Sequence, residues 1–308
     1  MLVRFDFGQT MNIRLAENFR AVFYAPFYAT HALGFFQQKG VSITLLESTS
    51  PGAGIAELAR GNIDVMWGGP LRVIKERDQF AYTGGSLVAF CEVAAKDPFF
   101  LLRRAQAQPF ALKDLLTLRF ASVSEVPTPW LCLQQDLRDT GIDPLAISRV
   151  DDRSMQDNLD ALGRGELDVI QVFEPYASMA LMQTGFEIAH AANQRGYTAY
   201  TTFISTAEGM QRHQPAFEAM MQAIEQFKPW LTAHGPGELA RLVKPFYPQL
   251  SRELFTDCLT RYHAAGLWTC RRAVSRQGFA RLAASMFDSG YITQPANYEA
   301  CVAECAYE

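Results

Sequence analysis

The sequence predicts an α/β protein of two lobes joined by two crossovers, and three observations lead there. First, a stretch of the chain is used twice. Residues 55–66 read Ile-Ala-Glu-Leu-Ala-Arg-Gly-Asn-Ile-Asp-Val-Met and residues 159–170 read Leu-Asp-Ala-Leu-Gly-Arg-Gly-Glu-Leu-Asp-Val-Ile, with Leu, Arg, Gly, Asp and Val in the same order. Each copy has apolar residues at helical spacing, a glycine where a left-handed C-cap is wanted, and an apolar run that continues as a strand. Second, the flanks repeat as well. Trp67-Gly68-Gly69-Pro70 follows one copy and Phe173-Glu174-Pro175-Tyr176 the other, each an aromatic at a strand end with a proline placed to start a helix. Third, the order upstream repeats: Pro26-Phe27-Tyr28 opens a helix ending at Gly40 before the strand Val41–Leu45, and Pro129-Trp130-Leu131 opens one ending at Gly141 before Leu145–Val150. Alternating strands and helices of this kind call for parallel sheets covered on both faces, with ligands held at the carboxyl ends of the strands.

In chain order, Asn12–Glu17 is a short strand that delivers an aromatic turn: Phe19, Phe23, Tyr24, Phe27 and Tyr28. Tyr28, Leu33 and Phe36 repeat at helical spacing and are assigned to the core, whereas Phe19, Phe23 and Tyr24 are assigned to a pocket wall. The segment Glu47-Ser48-Thr49-Ser50-Pro51-Gly52 precedes a helix, where exposed backbone N–H groups suit a ligand oxygen or a plain N-cap equally well. At the end of the strand 63–67, Gly68 and Gly69 let backbone approach a flat object while Trp67 offers a stacking face; the competing reading is a core tryptophan. Strands at 86–90 and 99–102 carry the chain out of the first lobe. Leu118–Val123 starts the second lobe and ends in a turn with Glu125 and Trp130, and 197–206 returns as a strand. The expected division is 1–93 with 194–308 in lobe 1 and 94–193 in lobe 2, with a hinge at about 91–97 and 190–197 that permits closure. Helices at 213–231, 236–246, 251–265 and 275–289 read as scaffold covering lobe 1.

Composition bounds the function. With 308 residues, 49% hydrophobic and 19% charged, the chain is long enough for two packed lobes, and a net charge of −4 gives no footprint for nucleic acid. Met1–Thr10 lacks an apolar run followed by a small-residue cleavage site, so the residues alone lead to the expectation of no signal peptide. The six cysteines, at 91, 132, 258, 270, 301 and 305, show no zinc spacing and are expected reduced, with Cys301 and Cys305 reduced or solvent-facing. The five histidines are scattered, and no nucleophile, metal or paired-carboxylate motif occurs, so no catalysis, no metal and no cofactor are expected.

Several segments resemble the periplasmic-binding-protein superfamily (type 2 fold), in particular the family that binds nitrate, alkanesulfonates, taurine and thiamine-precursor pyrimidines for ABC importers. They are Ala25-Pro26-Phe27-Tyr28 through Gly40-Val41, Gly61-Asn62-Ile63-Asp64-Val65, Leu112-Lys113-Asp114-Leu115, Gly165-Glu166-Leu167-Asp168, Phe173-Glu174-Pro175-Tyr176, Gly266-Leu267-Trp268 and Gly290-Tyr291-Ile292. The resemblance covers nearly the whole chain. It implies lobes that close on a small-molecule ligand, an ABC permease as partner, a periplasmic location and a monomer; a cytoplasmic location is the alternative if no export signal precedes the chain. An enzymatic branch, the pyrimidine synthases, sacrifices a histidine whose position here falls on Tyr24, and this sequence has no cysteine cluster.

The expected ligand is a small aromatic or heterocyclic, pyrimidine-like compound held by ring faces, with a carboxylate accepting from an amino group. The candidate site is Phe19, Phe23, Tyr24, Ser50, Trp67, Gly68, Gly69, Glu125, Trp130, Phe173, Glu174 and Tyr176. Glu174 could equally stabilise the start of its own helix. A sulfonate or nitrate is the second ligand class, for which Arg20 and Arg72 lie near the right turns. The rival function is a cytoplasmic enzyme or ligand sensor of thiamine-pyrimidine metabolism on the same fold.

Overall fold

The computed structural model describes residues 10–48, 50–80 and 86–304. Its strands are β1 (Met11–Ala16), β2 (Val41–Leu46), β3 (Val65–Gly68), β4 (Leu87–Ala94), β5 (Phe100–Arg104), β6 (Phe120–Ala121), β7 (Arg149–Val150), β8 (Val169–Val172), β9 (Phe186–Ala191), β10 (Thr201–Thr206) and β11 (Trp268–Arg271). The helices are α1 (Ala25–Ala32), α2 (Phe35–Gln38), α3 (Ala53–Ala59), α4 (Leu71–Gln79), α5 (Thr128–Asp139), α6 (Met155–Arg164), α7 (Tyr176–Leu181), α8 (Ala207–Arg212), α9 (Gln214–Glu225), α10 (Phe227–Val243), α11 (Arg252–Ala264), α12 (Arg276–Asp288) and α13 (Tyr298–Cys301).

Two sheets form, ordered β2-β1-β3-β10-β4-β11 and β7-β6-β8-β5-β9. The internal repeat is visible in that order. In each sheet three parallel strands come first, β2-β1-β3 and β7-β6-β8, and the fourth place is taken by an antiparallel strand that has crossed from the other sheet. The sheets are therefore mixed rather than parallel throughout. A strand that enters a lobe through a crossover, without a preceding helix in that lobe, runs against its neighbour. The chain changes sheets between Ala94 and Phe100 and returns between Ala191 and Thr201.

The repeated sequence makes the same local structure twice. Gly61 and Gly165 both adopt left-handed φ, 70° and 77°, ending α3 and α6 as the glycine demands. The repeated aspartate clasps an arginine one strand over. Asp64 accepts from the Arg14 backbone N–H at 2.8 Å and from its Nε at 3.1 Å; Asp168 accepts from the Arg119 backbone N–H at 2.8 Å, Nε at 2.9 Å and Nη2 at 2.7 Å. The bonds from Arg119 hold the Asp168 carboxyl below its ordinary range, and for Asp64 burial works the other way but the Arg14 bonds outweigh it. A carboxyl depressed on folding stabilises above its unfolded pKa, about 3.9, and that contribution is lost as pH falls through the folded value. Urea midpoints measured between pH 6 and pH 2.5 should fall with acid, and Asp168→Asn should flatten the acid limb; an unchanged limb would count against the clasp.

Four local expectations change. Residues 145–150 form a strand only at Arg149–Val150, because Asp143 caps a 3₁₀ turn at Pro144–Ala146 with a bond from the Leu145 N–H. The C-terminal region contributes strand β11 beside β4. Helices α11 and α12 also do more than cover lobe 1, since α11 packs against α7 and α12 against α5, both in the second lobe. Cys301 is buried rather than solvent-facing, like Cys91, Cys132, Cys258 and Cys270, and burial pushes its thiol up to about 11; Cys305 lies outside the described residues.

Candidate functional site

A cleft of about 400 Å³ of empty space, its mouth included, opens between the lobes. Lobe 1 supplies Asn18, Phe19, Phe23, Tyr24, Gly69, Leu71 and Arg72, while lobe 2 supplies Val126, Pro127 and Thr128 from the turn that opens α5. Phe99 and Tyr200, one on each crossover, close the back.

The polar side of the cleft is rich in donors. Asn18 fixes the geometry: its Oδ1 accepts from the Gly52 N–H at 2.9 Å and its Nδ2 donates to the Tyr24 hydroxyl at 3.2 Å. With that lone pair engaged, the Tyr24 O–H is left to donate. Burial pushes the Tyr24 phenol up to about 12, over smaller lowering effects of Asn18 and of the Arg72 charge, so the proton stays on at neutral pH.

The Arg72 guanidinium, in the first turn of α4, makes no hydrogen bond or ion pair with any described residue; the Arg72 backbone N–H donates to the Gly69 carbonyl at 3.1 Å. Burial pulls its guanidinium down from the ordinary arginine value. It lies against Gly52, whose φ is +85° and where an added Cβ would stand 2.3 Å from Arg72 Nη1. Glycine at 52 thus serves both the turn and the space the guanidinium occupies. Among the described lining residues there is no carboxylate. Arg20 is committed elsewhere, donating to Glu17 at 3.0 Å, Glu47 at 2.9 Å and the Phe246 carbonyl at 2.7 Å.

The residues expected to form the site are partly gathered and partly dispersed. Phe19, Phe23, Tyr24 and Gly69 line the cleft. Trp67 does not: it is 1% exposed, stacked on Phe27 at 4.6 Å and edge-on to Tyr28 at 5.2 Å, so its face is spent on the core of lobe 1. Gly68 sits within β3 beside Ile204. The space between Trp67 and Phe173 is filled by Phe23 and Tyr24, with Phe23 5.6 Å from Phe173 and Tyr24 6.1 Å from Trp67, and the cleft lies beside this aromatic wall rather than between those two rings.

Phe173 backs the wall, touching Phe19, Phe23 and Phe99, and Tyr176 is half-buried against Phe173 at 6.1 Å. Glu174 is fully buried and bonded to Arg261 at 2.7 Å and to the Ser178 N–H at 2.8 Å, which is the helix-start role together with an ion pair. Glu125 accepts from the Met155 N–H at 2.8 Å, capping α6. Trp130 lies under Arg149, 4.7 Å from its guanidinium, and Ser50 is exposed with its carbonyl taken by Ser48. Asn18, Leu71, Arg72, Phe99, Val126, Pro127, Thr128 and Tyr200 are the lining residues missing from the sequence-based set. Of these Arg72 alone carried a usable signal, a cation one residue beyond the strand-end turn's proline and leucine.

A two-lobed α/β chain with two crossovers and an interlobe cleft lined from both sides is a protein of the periplasmic-binding-protein fold. Its fold is similar to that of the periplasmic aliphatic sulphonate binding protein SsuA from Escherichia coli, with a TM-score of 0.77 at 14% identity over 95% of this chain and 97% of that one. It is also similar to the periplasmic nitrate-binding protein NrtA from Synechocystis PCC 6803, with a TM-score of 0.63 at 13% identity over 93% and 83%. In sequence it is 21% identical to YtlA of Bacillus subtilis (strain 168), a candidate binding protein, over 81% of this chain and 75% of that one. The model of the NMT1/THI5-like family matches residues 22–235, and the chain belongs to that family.

Proposed function

We propose that this chain is the solute-binding component of an ABC importer, working in the periplasm with a permease as its partner, and that it takes a small organic anion with a flat apolar body. One observation carries the ligand class: Arg72 is a partly buried cation in the cleft whose guanidinium has no described protein partner. A desolvated charge left unpaired is costly, so the site gains most from an anion that completes it. The Tyr24 O–H adds a second donor. The rings of Phe19, Phe23, Tyr24, Phe99 and Tyr200 supply apolar walls for the rest of the molecule.

This reading reverses the preference for a pyrimidine-like amine, because Glu174 and Glu125, the carboxylates meant to receive its amino group, are committed to Arg261 and to the start of α6. It also treats the chain as a binder without chemistry, since among the described lining residues no group is paired as nucleophile and base. The sulphonate and nitrate specificities of SsuA and NrtA agree with an anion.

Thermal shift against alkanesulfonates, benzoates, nitrate and pyrimidine amines tests it. A saturating anion at about a hundred times its Kd adds about 2.7 kcal/mol and should raise Tm by a few degrees. Stabilisation by the pyrimidine amines in place of the anions would overturn the ligand class, and a flat response to every compound would overturn the binding function.

A further inference from the structure

The residue that sequence reading assigned to the ligand, Glu174, does something else that bears on closure. It follows β8 at the tip facing lobe 1, adjacent to Phe173, whose ring lies 6.3 Å from Phe19 and 5.6 Å from Phe23 across the lobe boundary. The Glu174 carboxylate is fully buried, with Oε1 accepting from Arg261 Nε at 2.7 Å and Oε2 accepting from the Ser178 N–H at 2.8 Å and the Cys258 thiol at 3.5 Å. Its backbone N–H donates to the Tyr262 hydroxyl at 2.9 Å, and that hydroxyl donates to the Pro98 carbonyl on the first crossover at 3.2 Å.

Cys258, Arg261 and Tyr262 all stand on α11. That helix is anchored in lobe 1, packing on α10 and on the 3₁₀ turn Val22–Tyr24 and burying Phe255 and Leu259 in the core. The two crossovers are themselves tied, because the Arg195 guanidinium bonds Asp97 on the first crossover and Asp136 on α5, while the Arg195 carbonyl accepts from Arg281 on α12. Lobe 2 is thus held at two places by C-terminal helices in addition to its covalent links.

We infer that α11 is a latch on lobe 2, with the Glu174–Arg261 pair setting what fraction of molecules stands open. The inference rests on the solute-binding reading for its purpose, though its test needs no solute. Rotating lobe 2 away from lobe 1 separates Glu174 from Arg261 unless α11 leaves its own core, and a buried carboxylate stripped of its cation opposes that movement. Because Glu174 and Phe173 are consecutive, the same rotation draws Phe173 off the Phe19 and Phe23 wall. The latch and the cleft therefore open together.

Pulsed EPR distances between spin labels at Ser50→Cys and Asp152→Cys test this in a Cys305→Ala background. Both sites are exposed, one after β2 in lobe 1 and one after β7 in lobe 2, and the described native thiols are buried. The parent should give one short, narrow distance. Arg261→Gln should raise the population at longer distance at least tenfold, and so should the neutral pair Glu174→Gln with Arg261→Gln, which leaves no unpaired buried charge and keeps the Ser178 N–H bonded. Distances unchanged from the parent in the neutral pair, with folding intact by circular dichroism, would overturn the latch. Loss of anion-induced stabilisation in the parent would instead count against the proposed function and leave the distance result standing.

Discussion

Arg72→Ala should abolish anion-induced stabilisation while leaving the unliganded protein as stable as the parent, or more so. The sign follows from the surroundings of the guanidinium. It is partly buried, its charged form is disfavoured by that burial, and its side chain makes no bond to the described protein that the mutation could break. Removing it therefore costs the empty protein little. Binding is different, because charge-assisted hydrogen bonds contribute about 1.5–3 kcal/mol each. Loss of two such bonds weakens the affinity by about a hundredfold or more. Arg72→Lys keeps the charge and loses the planar fork, so it should retain part of the affinity. Calorimetric titration with whichever anion the thermal panel selects gives both numbers. Equal affinity in parent and Arg72→Ala would remove Arg72 from the site and with it the argument for an anion.

Trp67→Ala should be among the most destabilising single substitutions in lobe 1, with a loss of about 3–5 kcal/mol. The indole is stacked on Phe27 at an interplanar angle of 12°, meets Tyr28 edge-on, and is 1% exposed, so truncation leaves a cavity that the sheet above and the helix below cannot close. Its Nε1–H has no described partner, so Trp67→Phe sacrifices volume but no hydrogen bond and should cost much less, about 1–2 kcal/mol. Urea denaturation measures both. The same pair of variants separates a core tryptophan from a ligand-stacking one. A core role leaves the anion affinity of Trp67→Phe near that of the parent, and a tenfold loss of affinity without loss of stability would return Trp67 to the cleft.

These two residues show where the reading of the chain stops. The pattern at Trp67-Gly68-Gly69 marks a strand tip, and a strand tip is what forms, but both faces of a tryptophan at such a tip are geometrically available. Which one is used depends on Phe27 and Tyr28, some forty residues earlier. Arg72 was visible as a cation just past the same turn. Its significance lies in having no partner, a property defined only once every neighbour is in place. Glu174 is the reverse case, prominent in its own repeat yet committed to Arg261, which comes 87 residues later.

Local covalent logic determined the duplicated architecture of this protein. The glycines that must turn left-handed, the aspartates that clasp Arg14 and Arg119, and the prolines that open helices each act over a few residues or one adjacent strand, so they can be read in order along the chain. Tertiary structure alone decided which aromatic rings became core and which became cleft, which arginine stayed unpaired, and that α11 reaches across to the second lobe. Those outcomes depend on desolvation and packing between segments far apart in sequence, and burial is a property of the assembled neighbourhood rather than of any residue's place in the chain.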